Sequence, residues 1–233
     1  MCTVTFLPTS KNNFILTSNR DEQRTRETVA PKKYVEDGIE MLFPKDKLAG
    51  GTWIGISANK RLVCVLNGAF KKHIRKNTYT KSRGVIAKEI LKSLNFETFI
   101  SEMDLQKIEP FTMVIVDWNH NNLRLFELIW DDQKKHFNTL TIEPKIWSSS
   151  TLYSEEAKAT RKNWFEDWKN TNNNSKEAIL NFHHSEIGDK EQSILMKRSY
   201  VETVSITSVE KTNTAVKMDY EDVVNGDYFS HKF

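Results

Sequence analysis

Cys2-Thr3-Val4-Thr5-Phe6-Leu7, then Lys11-Asn12-Asn13, then Phe14-Ile15-Leu16-Thr17, then Asn19-Arg20-Asp21-Glu22 make up most of the first 22 residues, and their order decides the fold. The first segment alternates and is rich in β-branched residues, the mark of a strand. The asparagine pair after Lys11 is turn chemistry. The second apolar segment is again a strand, so the two read as a hairpin. A dense polar tetrad directly follows that second strand, and a cysteine stands at the head of the first.

Cys2 carries chemistry of its own. Removal of Met1, which a residue as small as cysteine permits, leaves an α-amine and a thiol on one residue. Their unperturbed pKa values are roughly 7.7–8.0 and 8.5. At neutral pH such an amine takes the thiol's proton, directly or through one water, as in other N-terminal nucleophiles. The alternative reading, an ordinary cysteine that happens to fall at position 2, stays open on this residue alone.

Working outward, residues 23–47 are polar and contain Pro31 and Pro44, which predicts a long surface loop. Gly50-Gly51-Thr52-Trp53 opens a strand pair at 53–57 and 61–67, joined by Ala58-Asn59-Lys60. Ile86, Ile90, Leu91 and Leu94 fall on one helical face after a capping Ser82. Helical pattern continues over 96–103. Strands are predicted at 111–118, 123–130, 136–141 and 145–150. Helices are predicted at 154–169 and 175–184, joined by the linker-like Asn170-Thr171-Asn172-Asn173-Asn174, and two strands at 202–210 and 214–220 close the chain. Hairpins dominate and no βαβ alternation does. The expected class is α+β, with mainly antiparallel sheets and helices on their outer faces, in a single domain over 1–233.

Composition narrows the function. The chain has 233 residues, 28% of them charged, and a net charge of +3. That length buries a sizeable core without staples. The charge is too small to imply nucleic acid, and no aromatics alternate with arginine. Lys71, Lys72, Arg75 and Lys76 form the densest basic cluster and read as a solvated loop. Two cysteines, Cys2 and Cys64, make neither a disulfide framework nor a zinc spacing. Cys64 sits in the buried-strand pattern Leu62-Val63-Cys64-Val65-Leu66 and reads as inert core. No segment approaches the roughly 20 apolar residues of a membrane span, and no signal peptide is visible. The expected location is the cytoplasm, where a free cysteine stays reduced.

Three features then stand together: Met1-Cys2, Asn19-Arg20-Asp21-Glu22, and Gly50-Gly51-Thr52-Trp53-Ile54-Gly55. With Asn67 closing a strand and Ser82-Arg83-Gly84 opening a helix, the chain resembles the NRDE family, also called the transport and Golgi organisation protein 2 family. That family looks like a branch of the N-terminal nucleophile hydrolases, beside the choloylglycine hydrolases and penicillin V acylases. The resemblance implies a four-layer αββα sandwich and hydrolysis of a non-peptide acyl amide. It implies Cys2 as nucleophile, its α-amine as base, and Asp21 as the carboxylate orienting that amine. The acylases carry an arginine a few residues before that aspartate, where this chain has Ser18. The resemblance implies Arg20 as the substitute, reaching from a different direction, as an anchor for thiolate or substrate carboxylate. Asn67 is implied as an oxyanion donor. Ser149, within Ser148-Ser149-Ser150, stands where the acylases have a second asparagine. Asn19, Trp53, Arg198 and Ser149 are the expected substrate-binding residues.

Blander readings compete. In isolation the tetrad reads as a structural turn, and its place after a strand headed by Cys2 favours function; Gly50-Gly51 serves equally as a positive-φ turn or as room for a ligand. Trp53 suits a core. Asn67-Gly68 suits a hairpin turn. His183-His184 are adjacent, about 100° apart on a helix, and read as surface or capping residues rather than metal ligands. No metal and no cofactor are expected. The alternative function, also implied by the family, is a non-enzymatic carrier of haem, lipid or acyl-CoA using the same pocket. A small acyl amide or hydrophobic ligand is the expected partner, and homo-oligomerisation is compatible with either reading.

Overall fold

The computed structural model describes residues 3–119 and 122–233. Met1, Cys2, His120 and Asn121 lie outside the described residues. The chain divides into two compact units, Met1–Arg26 with Glu143–Phe233, and Glu27–Ile142.

The first unit is built on the predicted hairpin. β1 (Thr3–Ser10) pairs antiparallel with β2 (Asn13–Glu22), Thr3 opposite Asn19 and Leu7 opposite Ile15. The other strands of this unit are β10 (Lys145–Ser148), β11 (Glu202–Lys211), β12 (Val216–Asp222) and β13 (Asp227–Lys232). The six form one antiparallel sheet in the order β10-β1-β2-β11-β12-β13. Two helices, α3 (Glu155–Thr171) and α4 (Lys176–His183), belong to this unit and are N-capped by Ser154 and Ser175. Leu7 and Ile15 pack with Phe165, Trp168, Ile179 and Phe182 in one core. Each such buried side chain contributes roughly 1.5–3 kcal/mol. The alternate residues Val4, Phe6, Phe14 and Leu16 are fully buried too, so both faces of β1 and β2 are covered.

The second unit is a seven-stranded antiparallel sheet. It runs β3 (Thr28–Glu36), β4 (Ile39–Asp46), β5 (Ile54–Ser57), β6 (Arg61–Asn67), β7 (Phe111–Asp117), β8 (Arg124–Trp130) and β9 (Lys135–Leu140) in sequence order. Helices α1 (Arg83–Lys92) and α2 (Phe96–Glu102) contribute Ile86, Ile90, Leu91, Phe96 and Ile100 to its core. Ser82 caps α1 as expected, its side chain accepting from Val85 N–H.

Two expectations are corrected. Residues 23–47 are no loop but carry the β3–β4 hairpin, turned at Asp37-Gly38 with φ of 54° and 78°. Prolines obscured it. β3 is an edge strand, and Pro31 falls where the register shifts between Val29 and Lys32, the place a strand tolerates proline. The chain also closes with three strands, not two. β13 is an exposed edge strand whose polar residues give no alternation to read.

Candidate functional site

The tetrad Asn19-Arg20-Asp21-Glu22 completes β2. It is therefore strand rather than turn, and Asn19, Arg20 and Asp21 are all buried. Next to it the β2–β11 ladder slips by one residue, between Thr203 and Ser205, opposite Asp21 and Arg20. Such bulges recur where a strand must re-aim a side chain.

Asp21 is 3% exposed and held by two hydroxyls. Tyr153 Oη–H donates to one carboxylate oxygen at 2.8 Å, and Thr203 Oγ1–H to the other at 2.6 Å. Thr203 Oγ1 in turn accepts from the Met196 N–H at 3.0 Å.

Asn19 has a different task. Its Nδ2 donates to the carbonyls of His183 (3.0 Å) and Ile194 (2.8 Å), and its Oδ1 meets His183 Nδ1 at 2.7 Å. The side chain assigned from sequence to substrate is thus engaged in tying α4 and the following loop to β2. Because Asn19 Oδ1 can only accept, His183 Nδ1 carries the proton. Nε2 then accepts from Thr5 Oγ1 at 2.8 Å, which infers one neutral tautomer from the network. Burial, with help from the charges of His184 and Arg161, lowers the His183 pKa to about 3. The expectation of surface histidines is corrected for His183, which is fully buried. His184 is the C-cap residue of α4 and pairs with Glu221 at 2.8 Å.

Arg161, on α3, is the second buried polar anchor and has no exposure at all. Its Nε donates to the Gln192 carbonyl at 3.0 Å, one terminal nitrogen to Thr3 Oγ1 at 2.6 Å, and the other to the Ser193 carbonyl. Its guanidinium lies 3.8 Å from the centre of the Tyr153 ring. Arg198 lies 5.4 Å from the same ring and donates to the carbonyls of Glu191 (2.8 Å) and Leu152 (3.1 Å). Ser149 shapes the turn that delivers Tyr153: its Oγ bonds Thr151 Oγ1 at 2.9 Å and its carbonyl accepts from the Tyr153 N–H. Just beyond the tetrad, a cleft of about 300 Å³ opens, lined by Gln23, Arg24, Arg198, Tyr200 and Glu202 among others. Arg24 and Glu202 pair at its edge at 3.0 Å.

Of the residues singled out from sequence, Asn19, Arg20, Asp21, Ser149 and Arg198 therefore share the first unit. Cys2 lies outside the described residues. Trp53 and Asn67 belong to the second unit. Trp53 is buried and its carbonyl accepts from Val65 N–H at 2.7 Å. Asn67 closes β6 opposite Phe111, and Gly68 follows at φ 84°.

The glycine motifs meet each other there. A side chain at Gly51 would lie 2.6 Å from the Gly84 backbone, and one at Gly84 would lie 2.5 Å from the Thr52 carbonyl oxygen. Gly51 makes room for chain, not ligand, while Gly50 supplies a positive φ of 67°. Tyr153, Thr203 and Arg161 were missed from sequence, because nothing local distinguishes a tyrosine or threonine that must reach a carboxylate over a hundred residues away. Among the described residues no cluster of histidine, cysteine, aspartate and glutamate could hold a metal ion. No helix among them is long and apolar enough to cross a membrane.

Two antiparallel sheets carrying a few helices make an α+β fold that this chain shares with several solved structures. The chain is similar to penicillin V acylase from Agrobacterium tumefaciens (TM-score 0.62, 10% identity, 98% of this chain and 85% of that one). It is similar to a variant of conjugated bile acid hydrolase from Clostridium perfringens (0.60, 10%, 99% and 92%). It is also similar to the Caenorhabditis elegans ortholog of N-acylethanolamine-hydrolyzing acid amidase (0.59, 11%, 89% and 92%). No curated protein sequence matches. The sequence profile of the Transport and Golgi organisation 2 family matches residues 1–228, and the chain belongs to that family.

Proposed function

We propose that this protein is an N-terminal cysteine amidohydrolase that cleaves an acyl amide outside peptide bonds. After Met1 is removed, the Cys2 α-amine takes the thiol proton. The thiolate adds to the acyl carbon, the C–N bond breaks, and the leaving amine receives that proton. A thioester on Cys2 remains, and water, deprotonated by the same amine, releases the carboxylic acid and restores the thiol. Asp21 orients the amine, Arg20 supplies positive charge, and Asn19 holds the scaffold of β2. Arg198 and the cleft beside it receive part of the substrate.

The observation that carries this reading is the double clamp on Asp21. A buried carboxylate fixed by two hydroxyls sits on β2, and β1, its neighbour, begins at the residue after Cys2, with Thr3 opposite Asn19. Secondary support comes from the fold. Its relatives include an acylase, an amidase and a hydrolase by name, and one solved relative is described as the C2A mutant of conjugated bile acid hydrolase.

The test is an intact mass of purified protein before and after exposure to a panel of activated acyl amides, including a penicillin-type donor. The expected result is loss of Met1 and an acyl adduct that Cys2→Ala abolishes without unfolding the protein. Retained Met1 with no adduct would overturn the proposal and turn attention to the carrier alternative, for which haem and acyl-CoA titrations are the measurements.

A further inference from the structure

We propose that Arg161 and Tyr153 form a stacked brace that positions the N-terminal nucleophile, and this inference rests on the Cys2 reading above. The brace is a chain of three contacts. Thr3 Oγ1 accepts from Arg161 at 2.6 Å, the Arg161 guanidinium lies 3.8 Å over the Tyr153 ring, and Tyr153 Oη–H reaches Asp21 at 2.8 Å. One end fixes the first described residue of β1, the neighbour of Cys2 in sequence. The other end fixes the carboxylate that orients the amine. A single stacked pair thus sets the strand end and the aspartate relative to each other.

The surroundings of Arg161 argue for a purpose beyond packing. It is fully buried, yet no carboxylate pairs with it among the described residues, and its acceptors are two carbonyls and one hydroxyl. A buried cation without a counter-ion is costly to hold. The ring beneath it offsets part of that cost. What an apolar residue cannot do is grip Thr3 and the 192–193 backbone while lying flat on Tyr153. Neither residue touches substrate in this proposal. Both act through Asp21 and through the strand that carries Cys2.

A substrate-free experiment tests it. The thiolate is the reactive form of cysteine, so the alkylation rate of Cys2 by iodoacetamide at pH 7 reads how well the amine and thiol are held. Cys64 is buried and serves as the internal control for an intact fold. Tyr153→Phe keeps the stack and deletes the bond to Asp21; Thr3→Val keeps the strand and deletes the acceptor for Arg161. Both are expected to slow Cys2 alkylation about fivefold or more while Cys64 stays protected, and Thr3→Ser, which keeps the hydroxyl, is expected to restore the rate.

Intact masses report Met1 in the same spectra. If Met1 is lost and both variants alkylate within about twofold of the unmodified protein, the brace is wrong and the nucleophile reading stands. If Met1 is retained, the reading falls and the brace with it. Exposure of Cys64 in both variants would assign Arg161 and Tyr153 to stability and overturn a positioning role.

Discussion

Each unit buries an arginine, and the two are solved differently. Arg61, on β6 and 1% exposed, faces a carboxylate: Asp117 lies 3.4 Å away and is shared with Arg124 at 2.9 Å. Arg61 also donates to the carbonyls of Ile90 (2.8 Å) and Ser93 (2.7 Å) at the end of α1, and stands over the Phe96 ring at 4.2 Å. Asn59 joins it there, donating to the Leu91 and Lys92 carbonyls. A helix C-terminus wants positive charge and donors, so every contact of Arg61 has a structural reason. Arg161 caps no helix and has no carboxylate among the described residues. It ties a loop, a strand end and a tyrosine together beside Asp21. A buried charge that faces a carboxylate and caps a helix explains its own presence by stability; one that does neither calls for another reason.

Arg61→Met tests the first half of that contrast and carries the largest expected effect. It leaves Asp117 buried with Arg124 as its remaining cationic partner and strips donors from the end of α1. Breaking a buried pair this way costs about 3–5 kcal/mol. Chemical denaturation reads it directly, and a loss below about 1 kcal/mol would end the structural account of Arg61. Burial already works against its charge, the largest of the influences lowering its pKa, with Asp117 opposing.

Arg161→Met is expected to cost less stability, about 1–3 kcal/mol, because it leaves hydrogen-bond acceptors unmet but no orphaned carboxylate. Its acyl-adduct formation should nevertheless fall more than tenfold among folded molecules, whereas any folded Arg61→Met protein should acylate at the normal rate. The reverse pattern in parallel mass and denaturation measurements would dissolve the distinction between the two arginines.

The sequence exposed these two regions unequally, for physical reasons. Local signals were legible: the first hairpin by alternation, α1 by its apolar face and its capping Ser82, and the tetrad by its density of polar groups at a strand end. The glycines of Gly50-Gly51 and Gly84 were visible as motifs, but their meaning depends on two backbones meeting. The partners of Asn19, His183 and Ile194, were hidden because they lie more than 160 positions away. Arg161 was hidden in a helix whose visible stripe is Trp164, Phe165 and Trp168. β3 escaped because Pro31 masks a strand whose edge position tolerates it. What pairs locally is written locally; what braces Asp21 is written at 153, 161 and 203.

The smallest expected effect separates the units by pH. Neutral His183 bridges Asn19 and Thr5 in the first unit, and its folded pKa of about 3 lies below the ordinary value of 6.5. Between those values the unfolded chain binds a proton that the folded one does not, so folding stability is present above pH 6.5 and declines as pH falls toward 3. The slope from this group is at most about 1.4 kcal/mol per pH unit. Urea denaturation at pH 7 and pH 5 measures it, and His183→Gln isolates it, since glutamine offers one donor and one acceptor but no proton to bind. The variant should lose less stability than the original between the two pH values. Equal losses would mean that His183 is protonated in the folded protein, and the Asn19–His183–Thr5 network would then have to bind a cation in place of the neutral ring.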